Sequence, residues 1–448
     1  MAAAPPLALV PLLCTPLLAQ REAAPSRELA EVVAAYAAKV AASAIFVSGR
    51  RIESVLAEEF APTRPLEALV RPMLKFHVDR TAGTVACDLG QAQATAVFTP
   101  GLGCTLAVAP MTVAALRART ALPAPVAEPR PWPRGDVLPP EPIAGVDHKA
   151  VAAALAAAFA EPDPQRRRVT RAIVVVYDGH LIAERYADGY HAAMPLPGWS
   201  MTKTLAYTLF GMRGTPLPPV AEWADDGRRA ITTDHLLQMT AGLAWNESYD
   251  DAASDVLRML FAGTDHAATY VARPSAEPPG TRFHYTSGAT NLLCRQLRRT
   301  FADDASHLAF PRTALFDKLG MHGTVLEPDA SGTFVGSSYG FATARDWARL
   351  GMLWCDLGEF AGERVVARSW LEAAWQPAPG SNGRFGRHLW LETGPGLPAD
   401  TACMHGHEGQ ACAVVRSHKL VVVRLGCTKN GGFDLHALLR DLLAALPR

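Results

Sequence analysis

The chain has 448 residues, 49% hydrophobic and 19% charged, with 43 Lys+Arg against 43 Asp+Glu. That composition is globular rather than disordered, and the length points to two domains, or one domain with a large appendage. Balanced charge offers no field for nucleic acid or anionic lipid, and neither a Gly-rich phosphate loop nor a basic, aromatic-interleaved run occurs, so nucleic acid is not an expected partner.

Residues 1–20 form an apolar run of signal-peptide length. Pro5, Pro6, Pro11 and Pro16 argue against a stable membrane span, and Leu13 before Cys14 is not the small residue that a lipidation signal wants. The segment reads as a signal-like leader for export to a periplasmic or secreted location, the alternative being an unstructured N-terminus. Residues 28–119 read as a small α+β unit. Helices are predicted at Glu28–Ala42 and Ile52–Phe60, and strands at Leu74–Val78, Thr84–Asp88 and Ala94–Phe98. The eight cysteines show no CxxC pair. Cys87 and Cys104 share the β-rich stretch, where a bridge and two buried free thiols both fit the spacing. Residues 120–145 then carry eight prolines in the twenty positions from Pro123 to Pro142, too stiff and donor-poor for a core element. This is a linker.

Residues 146–448 read as the second domain. Asp147 is placed to cap a helix with Val151, Leu155 and Phe159 on one face. Arg171–Tyr177 and Leu181–Arg185 flank Asp178-Gly179, a pair suited to a tight primed hairpin turn. The C-terminus mirrors this: strands at Ala411–Val415 and Leu420–Leu425, then a helix capped by Asp434. The two ends pair most simply as one antiparallel sheet with both helices on a face, leaving about 200 mostly helical residues between them.

At the start of that helical stretch stand Ser200 and Lys203, three apart and so on one helix face near its N-terminus. A serine hydroxyl needs an adjacent base to become a nucleophile, and a partly desolvated lysine is one. Alone, S-x-x-K occurs by chance in a chain this long. Tyr285, in the turn-rich loop Pro278–Ser287, adds a phenol that can share a proton with such a lysine; an ordinary buried tyrosine is the competing reading. His405-Gly406-His407-Glu408-Gly409-Gln410 precedes a strand, where glycines let backbone N–H groups approach a substrate. His405 and His407 also fit a metal pair or a plain surface turn, but further ligands at metal spacing are missing from the sequence, so no metal is expected.

Ser200-x-x-Lys203, Tyr285-x-Ser287 and His407-Glu408-Gly409, in that order, resemble the penicillin-recognising serine hydrolases. The match is to the class C β-lactamase-like branch with its carboxylesterases and 6-aminohexanoate-dimer hydrolases. The phrases ITTDHLLQMTAGL (Ile231–Leu243), PPGTRFHYTSGATNLL (Pro278–Leu293), ALFDKLGM (Ala314–Met321) and GFATARDWARLGML (Gly340–Leu353) are similar to the family too. The resemblance covers Asp147 to the C-terminus. It implies an α+β, β-lactamase/transpeptidase-like fold, with an antiparallel sheet flanked by helices and a mainly helical insertion, here preceded by the small α+β domain. It also implies a cofactor-free acyl-enzyme hydrolase of small ester, amide or short peptide-like substrates. In that scheme Ser200 is the nucleophile, and Lys203 and Tyr285 exchange its proton. The backbone N–H groups of Ser200 and Gln410 form the oxyanion hole beside Gly409, while His407 and Ser287 face the substrate. Trp199, Trp245 and Trp390 are candidates for the pocket wall, or ordinary core residues. Two positions depart from the β-lactamases, which keep an asparagine where Ser287 stands and a lysine where His407 stands. Both departures favour the esterase and dimer-hydrolase members over a β-lactamase or peptidoglycan peptidase. A catalytically silent binding module would have no need of the full Ser200/Lys203/Tyr285 set.

Overall fold

In the computed structural model the described residues are 26–447, apart from 63–67, 69, 126–128, 140, 142, 252, 393 and 430. The leader-like segment 1–20, Cys14 and part of the Pro-rich stretch lie outside them.

The alanine-rich stretch Arg27–Phe46 forms a 20-residue helix, because Ser26 caps it by accepting from Leu29 N and few residues in it are β-branched. It runs past Ala42, the expected end. The helix packs on a four-stranded antiparallel meander of Lys75–Asp79 (β1), Thr84–Leu89 (β2), Ala92–Thr99 (β3) and Gly103–Leu106 (β4), in that spatial order. In β2, Val85, Cys87 and Leu89 are buried and alternate with half-buried positions, the mark of a one-sided strand. The fourth strand was not expected. It is short and buried at every position, so it carries no alternating pattern.

This sheet and helix do not keep a core to themselves. Ala37, Ala41 and Ile45 of the helix, with Val85 and Cys104 of the sheet, join one apolar cluster that also holds Leu205, Leu209, Leu292 and Trp347. Within it Lys39 forms a buried ion pair with Glu327, whose carboxylate also accepts from Ser43 Oγ at 2.9 Å and Cys104 N at 2.7 Å. The Pro-rich stretch is likewise fastened. The buried Arg349 donates to Pro133 O (2.6 Å), Gly135 O (2.8 Å) and Asp136 Oδ1 (2.7 Å), with its guanidinium 4.7 Å from the Trp132 ring centre.

Beyond it, Asp147 caps His148–Phe159 as expected. Thr170–Tyr177 (β5) and His180–Tyr186 (β6) form a hairpin whose turn residues Asp178 and Gly179 both take positive φ, 45° and 79°. A primed turn demands that. Leu196–Pro197 (β7), Val325–Leu326 (β8) and Gly340–Ala342 (β9) make a small three-stranded sheet in the order β7-β9-β8. Glu359–Phe360 (β10) and Glu363–Arg364 (β11) form a short hairpin. Trp390–Leu391 (β12), Thr401–Gly406 (β13), Gln410–Val415 (β14) and Leu420–Gly426 (β15) complete the main sheet, ordered β12-β13-β14-β15-β5-β6 and antiparallel throughout.

Both faces of this sheet are covered, which is why its central strands read as unbroken apolar runs rather than alternating ones. Val174, Val176, Val421 and Val423 face the large cluster and the helix Ala344–Cys355. Ile173, Val175, Leu420 and Val422 face a second cluster under His148–Phe159 and the C-terminal helix Leu435–Ala444, capped by Asp434. Among the described residues one helix, Arg27–Phe46, is long and apolar enough to cross a membrane, and most of it is buried in the core. The seven described cysteines are all buried and all free, so Cys87 and Cys104 are not bridged.

Candidate active site

The site begins where β7 turns into a helix. Gly198 N donates to Gly340 O of β9 at 2.8 Å, and the next residue, Trp199, takes φ 47°. A bulky residue in the left-handed region is strained and holds only where its surroundings fix it. That corner leads through the 3-10 turn Trp199–Met201 into the helix Thr202–Arg213 and leaves Ser200 at its mouth. Strand β13 lies against the corner. A Cβ at Gly406 would sit 2.1 Å from Gly198 O, so only glycine fits there.

One turn on, Lys203 is fully buried, and its Nζ donates to Ser200 Oγ (2.9 Å), Ser287 Oγ (3.0 Å) and Ser337 O (2.9 Å). All three acceptors are uncharged, so the ammonium is poorly compensated. Burial lowers the Lys203 pKa to about 8, with Glu247 pulling the other way. An amine with that pKa is partly neutral near pH 7 and offers a lone pair along the contact to Ser200. The Tyr285 hydroxyl lies beside Ser200, and its ring centre lies 4.8 Å from Lys203 Nζ. Its ring stacks on Trp390 with centres 5.3 Å apart and meets the edge of Phe385 at 6.0 Å. Burial pushes the phenol well above its ordinary pKa, so the Tyr285 hydroxyl stays protonated near neutral pH. That separates two groups that the sequence left interchangeable.

Ser287 does not line an open cleft. It is fully buried, with its Oγ between Lys203 and a carboxylate that no motif marked, Glu247. Glu247 accepts from Ser287 N at 2.9 Å, from Ser287 Oγ and from Trp245 Nε1, and so closes the N-terminus of the helix Ser287–Arg298. Burial raises its own pKa, opposed first by Lys203. A chain Ser200–Lys203–Ser287–Glu247 therefore runs inward from the helix mouth. Were the neutral Lys203 amine to act as a base, kcat/KM would rise with pH through about 8. Glu247→Gln removes the charge that holds the proton on Lys203, so it should shift that limb to lower pH. A limb that does not move in the variant would remove Glu247 from the circuit.

Gln410 fixes its corner with its side chain: Nε2 donates to Gly426 O (2.6 Å) and His407 O (3.2 Å), and Oε1 accepts from Gly426 N (2.9 Å). Its backbone pairs in register with Gly406, which packs on Gly198, two residues before Ser200. Gly409 takes φ 80°, and its carbonyl accepts from the buried Arg424 at 2.9 Å. The His407 ring stacks on Tyr249 (centres 4.6 Å apart) and meets the edge of Trp199 (5.5 Å). Of the three tryptophans, Trp390 backs Tyr285, Trp199 backs His407 and Trp245 holds Glu247.

His405 does gain a carboxylate that sequence spacing hid: its Nε2 lies 2.6 Å from Glu392, which also meets His436 Nε2 at 2.7 Å. Among the described residues two groups bring metal-ligand atoms within 4.8 Å, Glu392/Cys403/His405 and Glu59/Glu408/Cys427. Glu392 is already held between two histidines, and Glu59 between Arg50 and Arg171. Neither group includes Ser200, Lys203 or Tyr285.

A 6-aminohexanoate-dimer hydrolase from Paenarthrobacter ureafaciens is 27% identical over 277 residues, covering 54% of this chain and 64% of that relative. The chain therefore spans less than two thirds of that protein's length. A penicillin-binding protein homologue from Caulobacter crescentus superposes with a TM-score of 0.52 at 16% identity, over 69% of this chain and 99% of that one. The likeness is one of fold, and it is the β-lactamase/transpeptidase-like arrangement of an antiparallel sheet flanked by helices. The sequence pattern of the family described as Beta-lactamase matches residues 149–446. With two thirds of its length matched in this way, the chain belongs to the beta-lactamase family of hydrolases.

Proposed function

We propose that the protein is a serine hydrolase that cleaves ester or amide bonds through an acyl-enzyme on Ser200. The observation that carries this is Lys203 Nζ at 2.9 Å from Ser200 Oγ, buried among neutral acceptors. The neutral amine takes the Ser200 proton as the hydroxyl attacks the carbonyl. Tyr285 relays that proton to the leaving group, and water then releases the acyl group by the reverse path. The N–H groups of Ser200 and Gln410 receive the oxyanion, where one such donor is worth roughly 3–4 kcal/mol. The scheme draws its base and its electrostatics from the chain itself. The apolar segment 1–20 supports export.

Esters and small amides are expected to outrun β-lactams. A penicillin's carboxylate has to be held while the lactam carbonyl reaches Ser200. His407 is a half-exposed imidazole stacked on Tyr249, not a lysine, and Arg387 upstream in the chain is paired with Asp234 at 3.1 and 3.2 Å. Losing a charge-assisted contact costs about 1.5–3 kcal/mol, roughly ten- to a hundredfold in specificity. The test compares kcat/KM for a chromogenic cephalosporin with p-nitrophenyl butyrate, in wild type and His407→Lys. Faster cephalosporin turnover in the wild type would make β-lactamase the better description. Failure of a fluorophosphonate to label Ser200, with neither substrate turned over, would leave a silent binding module.

A further inference from the structure

The region matched to the family starts at residue 149, yet one wall of a cavity beside the site comes from well before it. The cavity has a volume of about 350 Å³, within the range of small-molecule pockets. Leu29 and Val33 of the first helix, Phe60, and Leu74 just before β1 line it together with Leu257 and Phe261. Trp199, Tyr249 and His407 belong to the same lining. Trp199 adjoins Ser200 in the chain, and the Tyr249 hydroxyl lies beside Ser287 and Ser338. The cavity thus comes within one side chain of the Ser200–Lys203–Ser287 chain.

Four of the charged groups on its border have partners in the chain. Lys429 Nζ donates to Glu59 O (2.6 Å) and Ala61 O (3.2 Å), and Arg71 donates to Leu56 O (3.1 Å). Glu408 accepts from Cys427 Sγ at 3.4 Å, and Glu59 is paired with Arg50 and Arg171. What the cavity offers an occupant is apolar surface. An apolar space of this size gains most from a group that replaces water along its walls.

We propose that the N-terminal helix and sheet are part of the substrate site. They supply the wall of a pocket for an apolar chain on one side of the scissile bond, so the preferred substrates are esters or amides bearing an aliphatic or aromatic chain rather than small polar ones. This rests on the serine-hydrolase reading for its chemistry but not for the existence of the pocket. In the wild type, kcat/KM should climb roughly two- to fourfold per methylene from acetate to octanoate, in either a p-nitrophenyl acyl series or an n-alkyl butyrate series. Val33→Trp, or Leu74→Trp if the first variant does not fold, fills the wall. Either should collapse the octanoate-to-acetate ratio (or its alkyl counterpart) towards one. Calorimetry on Ser200→Ala should find octanamide bound more tightly than butanamide, with that difference lost on adding Val33→Trp. Profiles flat in both series, with the two amides bound equally, would overturn the pocket while Ser200-dependent acetate hydrolysis still stood. Chain-length-dependent binding without any ester turnover would keep the pocket and sink the hydrolase.

Discussion

Ser200→Ala is expected to lower hydrolysis of a p-nitrophenyl short-chain ester by three to six orders of magnitude while leaving the fold intact. Removing a nucleophile from a set that acts as one unit typically costs up to about 10⁶ in kcat. The substitution deletes one oxygen at a helix mouth, and Lys203 keeps its contacts to Ser287 Oγ and Ser337 O, so circular dichroism and melting should barely change. Lys203→Ala removes the base and Tyr285→Phe removes only the relay hydroxyl, so each should lose most of the activity. The double variant should lose little more than the worse single one, because the groups share a single proton path. Wild-type turnover by Ser200→Ala would end the mechanism outright.

The largest expected effect on stability is at Glu327. Glu327→Ala leaves the Lys39 ammonium buried without its counter-charge and strips the acceptor from Cys104 N and Ser43 Oγ. Breaking one partner of a buried pair costs about 3–5 kcal/mol, a large part of a typical folding free energy of about 5–15 kcal/mol. Urea unfolding followed by tryptophan fluorescence should give a midpoint far below that of the wild type. Because the helix Arg27–Phe46 and the family-matched region share one apolar cluster, the wild type should unfold in a single transition. A loss under 1 kcal/mol, or two separated transitions, would refute the tie between the two parts.

What was legible in the sequence was local. Ser26 was passed over, but Asp147 and Asp434 were read as caps because a cap needs only its next three residues. Asp178-Gly179 announced its turn, and Ser200 and Lys203 announced each other through helix spacing. Tyr285 and the His407–Gln410 corner came from ordered motifs and not from any period. What stayed hidden was long-range. Glu247 meets Ser287 across 40 positions, and Lys39 meets Glu327 across 288. Nothing in either local pattern marks a carboxylate whose partner arrives from another element. The same holds for the cavity wall, since Val33 and Leu74 look like any core position until the fold brings them into one lining with Leu257.

The seven buried thiols have a consequence for the lifetime of the protein outside a reducing compartment. A thiol reacts as its thiolate, and burial pushes Cys87, Cys294 and Cys355 up to about 12, so among the described residues the closed fold opens no thiol to an oxidant. Damage then has to pass through opened molecules, and its rate follows the free energy of opening rather than the chemistry of sulfur. Cys104 sits in the N-terminal sheet and Cys412 in the main one, within a shared apolar core. Exposure of either one signals the loss of both, and the oxidative half-life of these thiols follows the opening of that one shared core.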